Sequence, residues 1–290
     1  PAAVAGEILP ATRDLQKRPR PGVRVAVRSS AVGEDTEATF AGQYETVLNV
    51  AESSILEAYK RVLASKYSAR AVVYRLRHGL SDRETSMAVA VVAMVDPRSS
   101  GVMYTDAPSS GDSGDININS VRGLAERLVD GSASPDFFVV DRKSRFIKDR
   151  KTTRQKIRMV NLEAGGTALQ PVPLHEQSTP SLDDDTIRRL ADYGLRLEAL
   201  FGVPQDVEWA LDESGNLFII QSRPLRGSAF SGRRSESPIN KVTVHPVLLS
   251  TGKSASSGIA AGKVFVLREQ HESKSVQEGA VIVARPASPD

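Results

Sequence analysis

The chain has 290 residues, of which 40% are hydrophobic, 25% charged and 5% aromatic, and its 38 Lys and Arg against 35 Asp and Glu leave a net charge of +3. That length and balance describe ordinary globular structure, one large or two medium domains with a real core, and neither the mild charge nor the few rings suits nucleic-acid binding. The absence of cysteine excludes disulfides, thiolate metal sites and a cysteine nucleophile, and no apolar run is long enough for a transmembrane helix.

Pro1-Ala2-Ala3-Val4 has neither the charged nor the apolar region of a signal peptide. With no initiator Met and an end in mid-pattern at Ala287-Ser288-Pro289-Asp290, the sequence is expected to be a piece of a longer cytoplasmic protein. Residues 1–20 are rich in Pro, Arg and Ala and show no clear period. Strands are expected at 23–28 and 46–50. Ser54-Ile55-Leu56-Glu57 has capping-box spacing, and Ile55, Ala58, Tyr59, Val62, Leu63, Lys66 and Tyr67 follow at helical spacing. The apolar run 87–95 reads as a buried strand with 101–105 as its hairpin partner. A Ser/Gly/Asp-rich loop over 106–115, a short strand at 116–120 and a short helix within 121–129 come next. Segments 137–141 and 145–148 form a candidate hairpin, and 150–180 is basic and irregular. Ser181-Leu182-Asp183-Asp184-Asp185 opens a strong helix: the serine can cap it and the acidic turn suits the dipole. Ile187, Leu190, Ala191, Leu195, Leu197 and Leu200 form its apolar side, and Gly202 and Pro204 stop it. Residues 226–240 are poor in apolar side chains and read as an interdomain linker. Runs 262–267 and 279–284 then read as strands of a second domain.

Two stretches carry chemistry. In Val25-Ala26-Val27-Arg28-Ser29-Ser30-Ala31-Val32-Gly33, alternation turns Val23, Val25 and Val27 one way and Arg24, Ala26 and Arg28 the other. Arg28 thus ends a strand at the mouth of a loop whose small residues let backbone N–H groups approach an anion. Thr39-Phe40-Ala41-Gly42-Gln43 could form a second turn over it. A polar surface loop with a satisfied arginine is the plainer alternative. In the hairpin 207–223, a two-residue turn at Ser214-Gly215 sets Glu208 opposite Gln221, and one at Gly215-Asn216 sets it opposite Arg223. Either register gathers a carboxylate, an amide oxygen and a guanidinium, whereas a three-residue loop would break the arrangement. Hard oxygens suit Mg²⁺ and the arginine a phosphate, though an exposed cross-strand salt bridge fits the spacing as well.

Taken in order, these words resemble the nucleotide-binding domain of the phosphoenolpyruvate synthase and pyruvate phosphate dikinase family. The matching residues are Val27-Arg28-Ser29-Ser30-Ala31, Phe40-Ala41-Gly42-Gln43, Thr46-Val47-Leu48-Asn49-Val50, Met94-Val95 with Ser100-Gly101-Val102, Gly123-Leu124-Ala125-Glu126, Pro135-Asp136, Pro204-Gln205-Asp206-Val207-Glu208-Trp209 and Gln221-Ser222-Arg223-Pro224. The resemblance implies an α+β fold, an ATP-grasp of several subdomains over 1–225. A linker over 226–249 and the incomplete β-rich start of a swivelling phosphohistidine domain over 250–290 would follow. It implies that Arg28 and Arg223 bind ATP phosphates and act in catalysis, that Glu208 and Gln221 hold Mg²⁺, that Gly42 and Gln43 cover the phosphates, and that Asp206 orients its neighbouring arginine. The activity implied is phosphorylation of a histidine that then serves pyruvate. Pyruvate phosphate dikinase, glucan-type and rifampin-type acceptors, or a regulatory module without turnover, are alternatives. None of His78, His175, His245 and His271 lies in the family's Gly-Gly-x-Thr-x-His-Ala sequence. Three departures stand out: residues 1–20 have no Gly-Lys-Gly-like lysine (Lys17 follows Gln16), Val92 replaces a usual Gln, and Ala125 a usual Gly.

Overall fold

The structure, a computed structural model, describes residues 2–17, 24–31, 43–83, 85–107, 114–225, 261–267 and 277–284. Two antiparallel sheets carry its main body, each backed by helix. The smaller has β1 (Val25–Ala31) between β2 (Thr46–Val50) and β3 (Met87–Ala93). Its alternation is the expected one: Val25 and Val27 are buried with Val50 against Ile55, Ala58 and Val62 of α2 (Ile55–Ser65). Burying each such side chain stabilises by about 1.5–3 kcal/mol. The helix is entered through a 3-10 turn at Glu52–Ser54, in which the Ser54 N–H bonds to Ala51, so the Ser54 hydroxyl caps nothing and no capping box forms. Helix α3 (Ala69–Arg77) follows, capped by Ser68.

Helix α1 (Ala2–Lys17) occupies the stretch that shows no period in the sequence. Ile8 and Leu15 nonetheless pack on the small-sheet core, and Thr12 between them is buried. A single apolar stripe is enough when tertiary packing provides the helix with its stability.

β4 (Pro97–Ala107) does not return along β3 as a hairpin. It joins the larger sheet, whose order is β11-β10-β4-β5-β6-β7, while β3 pairs with β1. The remaining strands of this sheet are β5 (Asp115–Arg122), β6 (Asp136–Asp141), β7 (Ile147–Lys151), β10 (Gln205–Asp212) and β11 (Leu217–Pro224). Proline at position 97 cannot donate to a ladder, and the chain crosses there from one sheet to the other. β6 and β7 pair as expected, whereas the short helix shrinks to α4 (Glu126–Val129).

α5 (Asp184–Phe201) covers one face of the large sheet. Its cap is Asp183, whose carboxylate accepts from the Thr186 N–H at 2.7 Å. Ser181 instead donates to buried Asp136 at 2.6 Å through its hydroxyl and at 2.8 Å through its N–H. Asp136 also accepts from the Thr153 N–H, so the Pro135-Asp136 word is a structural anchor for two neighbouring segments. Val207, Trp209 and Leu211 of β10 pack here with Ile187 and Leu190, whereas Leu200 stays exposed. Gly101 lies flat against this packing: a Cβ there would sit 1.9 Å from the Asn119 carbonyl oxygen and 2.8 Å from the Trp209 ring.

The basic stretch 150–180 holds a further hairpin, β8 (Ile157–Asn161) with β9 (Thr167–Pro171). It touches both sheets. Gly123 bridges to Met159 beside the large one, and the loop of the hairpin is held by Asn49 of β2. Asn49 adopts φ 54° and donates to the Leu162 and Gly166 carbonyls at 2.7 and 2.6 Å.

Runs 262–267 and 279–284 do contain strands, β12 (Val264–Leu267) and β13 (Val281–Ala284), paired in parallel. The linker residues 226–249 lie outside the described residues. Among the described residues no helix is long and apolar enough to cross a membrane.

Candidate active site at the junction of the two sheets

The hairpin of β10 and β11 delivers the acid and amide. Its loop has three residues, Glu213, Ser214 and Gly215: the Gly215 N–H bonds to the Asp212 carbonyl and the Asp212 N–H to that of Asn216, with Gly215 at φ 81°. This is a type I turn closed by a left-handed glycine, not the two-residue turn the Ser-Gly and Gly-Asn dipeptides suggest. By itself it would move Glu208 out of register. A bulge between Glu208 and Trp209 restores it, with Trp209 facing Ile219 and Glu208 facing Gln221, so that Ile220 is the extra residue on β11. β10 itself is unbroken, and its alternation sends Val207, Trp209 and Leu211 into the core while Glu208 and Asp206 face the other way.

On that outer face the register lines up two rows. Asn119, Val102, Glu208 and Gln221 form one across four strands, and Asn117, Tyr104, Asp206 and Arg223 form the other. Arg223 donates twice to one oxygen of Asp206, from Nε and Nη2, both at 2.8 Å. The second oxygen, Oδ1, is buried and has no partner among the described residues, and the same holds for Asn117 Oδ1. The small sheet closes on this face. Arg28 Nη1 donates to Gln221 Oε1 at 2.6 Å, a bond between residues 193 positions apart in the chain.

All four of Arg28, Glu208, Gln221 and Arg223 are therefore brought together, with Asp206 beside them. Gln43 is half-buried in the turn leading into β2 and makes no hydrogen bond with the described residues. Gly42 lies outside the described residues. Tyr104 and Asn117 were not expected at the site; the signal for both was the alternation of β4 and β5 once β10 is their neighbour. Val92 pairs with Ala26 on the side of β1 that carries Arg28, and it is 40% exposed.

Burial dominates the electrostatics of the acid at this site. Burial pushes the Glu208 carboxyl above the usual carboxylate range; Arg28 and Arg223 pull it back and Asp206 adds to the rise. Burial likewise raises the Tyr104 hydroxyl, helped by Asp206 and Glu208 and opposed by Arg223. Burial alone would lower the Arg223 guanidinium, but Asp206 and Glu208 hold it above its ordinary value. Glu208 accepts no hydrogen bond from the described residues. An added cation would relieve Glu208, and an added anion would find two guanidinium groups already fixed in place.

Fold and site thus define a mixed α/β domain of several sheets with a cluster of charged side chains where two of them meet. Residues 1–241 match the family described as pyruvate phosphate dikinase, AMP/ATP-binding domain, and the chain belongs to that family. It is 39% identical over 270 residues to a probable phosphoenolpyruvate synthase of Archaeoglobus fulgidus, covering 92% of this chain and 35% of that protein. Similarity extends to the phosphoenolpyruvate synthase of Pyrococcus furiosus, 34% identical over 300 residues, with 100% of this chain and 36% of that protein covered. The corresponding protein of Deinococcus radiodurans is 36% identical over 277 residues, with 92% of this chain and 35% of that protein covered. The chain spans about a third of the length of these relatives.

Proposed function

We propose that the cleft binds Mg-ATP in an ATP-grasp arrangement and that the chain is the nucleotide-binding part of a cytoplasmic phosphoenolpyruvate synthase. In that reading ATP phosphorylates a histidine on a swivelling domain, which hands the group to pyruvate. Residues 1–225 form the ATP domain, 226–249 the linker and 250–290 the start of the swivelling domain. The observation that carries the reading is the Arg28–Gln221 bond, which sets a cation of one sheet beside the amide and acid of the other.

The residues suit a magnesium ion. Glu208 is a carboxylate with a burial-raised pKa and Gln221 faces it across the ladder, while the orphaned Asp206 Oδ1 adds a third hard oxygen nearby. Glu208 and Gln221 would hold the ion, and bound there it would neutralise charge on phosphate oxygens. Arg28 and Arg223 bind the phosphates and stabilise charge on the transferring group, which is most of what phosphoryl transfer asks of a protein. Asp206 fixes the Arg223 fork in orientation. Gly42 and Gln43 cover the phosphates.

The exposed Val92 favours one second reading, a nucleotide-binding module without turnover. Phosphohistidine formation from ATP in the full-length protein separates the two. The first reading expects it in the wild type and its loss in Glu208→Gln. Unchanged turnover in that variant contradicts the metal assignment, and ATP binding without any phosphohistidine in the wild type favours the second.

A further inference from the structure

A cavity of about 270 Å³, lined by none of Arg28, Asp206, Glu208, Gln221 and Arg223, opens between the end of β5, α4 and the start of β8. Arg122, Arg127, Arg154, Lys156 and Arg158 all line it, and no carboxylate does. Arg122 alone is ion-paired, to Glu176 at 3.1 Å, and its fork is further spent on Thr179. The other four have no carboxylate partner among the described residues. Among the described residues the Arg127 side chain reaches Ser132 alone, and that of Arg154 the amide of Gln177 alone.

Two donors are more telling than the count. The Nε atoms of Arg122 and Arg158 are both buried and both lack an acceptor among the described residues. The Arg122 side chain is only 12% exposed. A buried donor without an acceptor is destabilising. Water could meet the hydrogen-bonding need but not the charge: concave walls concentrate the field of like charges, which a water molecule does not neutralise.

We infer that this cavity is an anion site, distinct from the nucleotide cleft, that takes a small phosphoryl-bearing anion without a metal ion. Guanidinium forks and the Ser132 and Ser134 hydroxyls present donors matched to phosphoryl oxygens. Leu124 and Met159 supply an apolar wall, so a compact organic phosphate fits the lining as well as an inorganic one. The absence of any lining carboxylate is what excludes a bridging magnesium here. Because Leu124 and Met159 join the large sheet to the β8–β9 hairpin through a backbone bond at 2.9 Å, occupancy would stiffen the strap that also reaches the small sheet through Asn49.

The test is a calorimetric titration of the chain with inorganic pyrophosphate, in EDTA and then with saturating Mg-ATP present. Wild-type protein is expected to bind pyrophosphate in both conditions. Lys156→Gln with Arg158→Gln, two cations outside the structural Arg122 network, is expected to weaken it at least tenfold, with a shallower salt dependence. Circular dichroism and the melting temperature confirm that the variant is folded. Arg28→Gln is expected to leave this binding unchanged. No pyrophosphate binding by the wild type, or binding displaced by Mg-ATP and lost in Arg28→Gln but not in the double variant, overturns the inference. An acidic peptide that binds at the cavity while pyrophosphate does not would equally overturn it, in favour of a protein partner.

Discussion

The cleft and the basic cavity are built from the same kinds of side chain and differ in balance. In the cleft each arginine meets an acceptor of the chain itself, Arg28 on Gln221 and Arg223 on Asp206, with Glu208 in reserve. Of the five cations of the cavity only Arg122 has a carboxylate partner among the described residues, and that carboxylate lies outside the lining. A near-balanced site suits a polyphosphate that brings its own divalent cation; an unbalanced one suits a bare anion. Metal dependence, more than affinity, is therefore the property that separates the two regions.

The strongest way to break the comparison is Glu208→Gln. It removes the carboxylate that the proposal assigns to the metal, so Mg-dependent ATP binding should fall by more than the roughly 10–100-fold that losing an outer-shell partner costs. Its stability should move the opposite way. The carboxyl is raised in the folded protein above its ordinary 4.5, so wild-type stability is lost as pH rises from that value through the raised one. At neutral pH the variant should melt no lower than wild type, and the gap should close in acid. Metal-dependent binding, conversely, should fade on acidification at a pH higher than an ordinary carboxylate would set.

Gly101→Ala sharpens the comparison by attacking the floor of the cleft alone. The new methyl would meet backbone and the Trp209 ring rather than a yielding side-chain end, costing about 3 kcal/mol by denaturant titration. Asn49→Ala tests the strap. Loss of two bonds to carbonyls, with alanine forced to φ 54°, should cost about 2–3 kcal/mol. Asp206→Asn is the mildest change. Arg223 would keep a neutral partner but lose its fixed orientation, and Mg-ATP should bind about tenfold more weakly, while pyrophosphate in the cavity is unaffected.

The cleft was largely legible because its chemistry sits on strands, where a period of two fixes faces. Arg28 opposite the buried Val25 and Val27 follows from alternation, whereas Glu208 opposite Gln221 is one of the two registers that a two-residue turn allows. The loop was misread because Ser214-Gly215-Asn216 offers two-residue turns, and the sequence has no mark for the bulge at Ile220 that repairs the register. Tyr104 and Asn117 could not be placed while β4 was assigned to β3: an apolar run does not announce its partner, and β3, expected to be buried, is a half-exposed edge strand. Helix α1 hid behind Pro10 and a thin stripe, and the β8–β9 hairpin behind the basic run that precedes it and strands that bury no side chain fully. The basic cavity is invisible in sequence because Arg122, Arg127, Arg154, Lys156 and Arg158 meet only after β5, α4 and β8 have packed.

The most direct test of the central claim is a double-mutant cycle on Mg-ATP affinity in the full-length protein, with Arg28→Gln from one sheet and Arg223→Gln from the other. If both arginines grip one polyphosphate, each single variant should bind at least tenfold more weakly, the pair should show a coupling energy well beyond additivity error, and chelating the magnesium should abolish binding in the wild type. Wild-type affinity in both single variants, or binding indifferent to magnesium, would contradict a metal–nucleotide cradle shared by the two sheets.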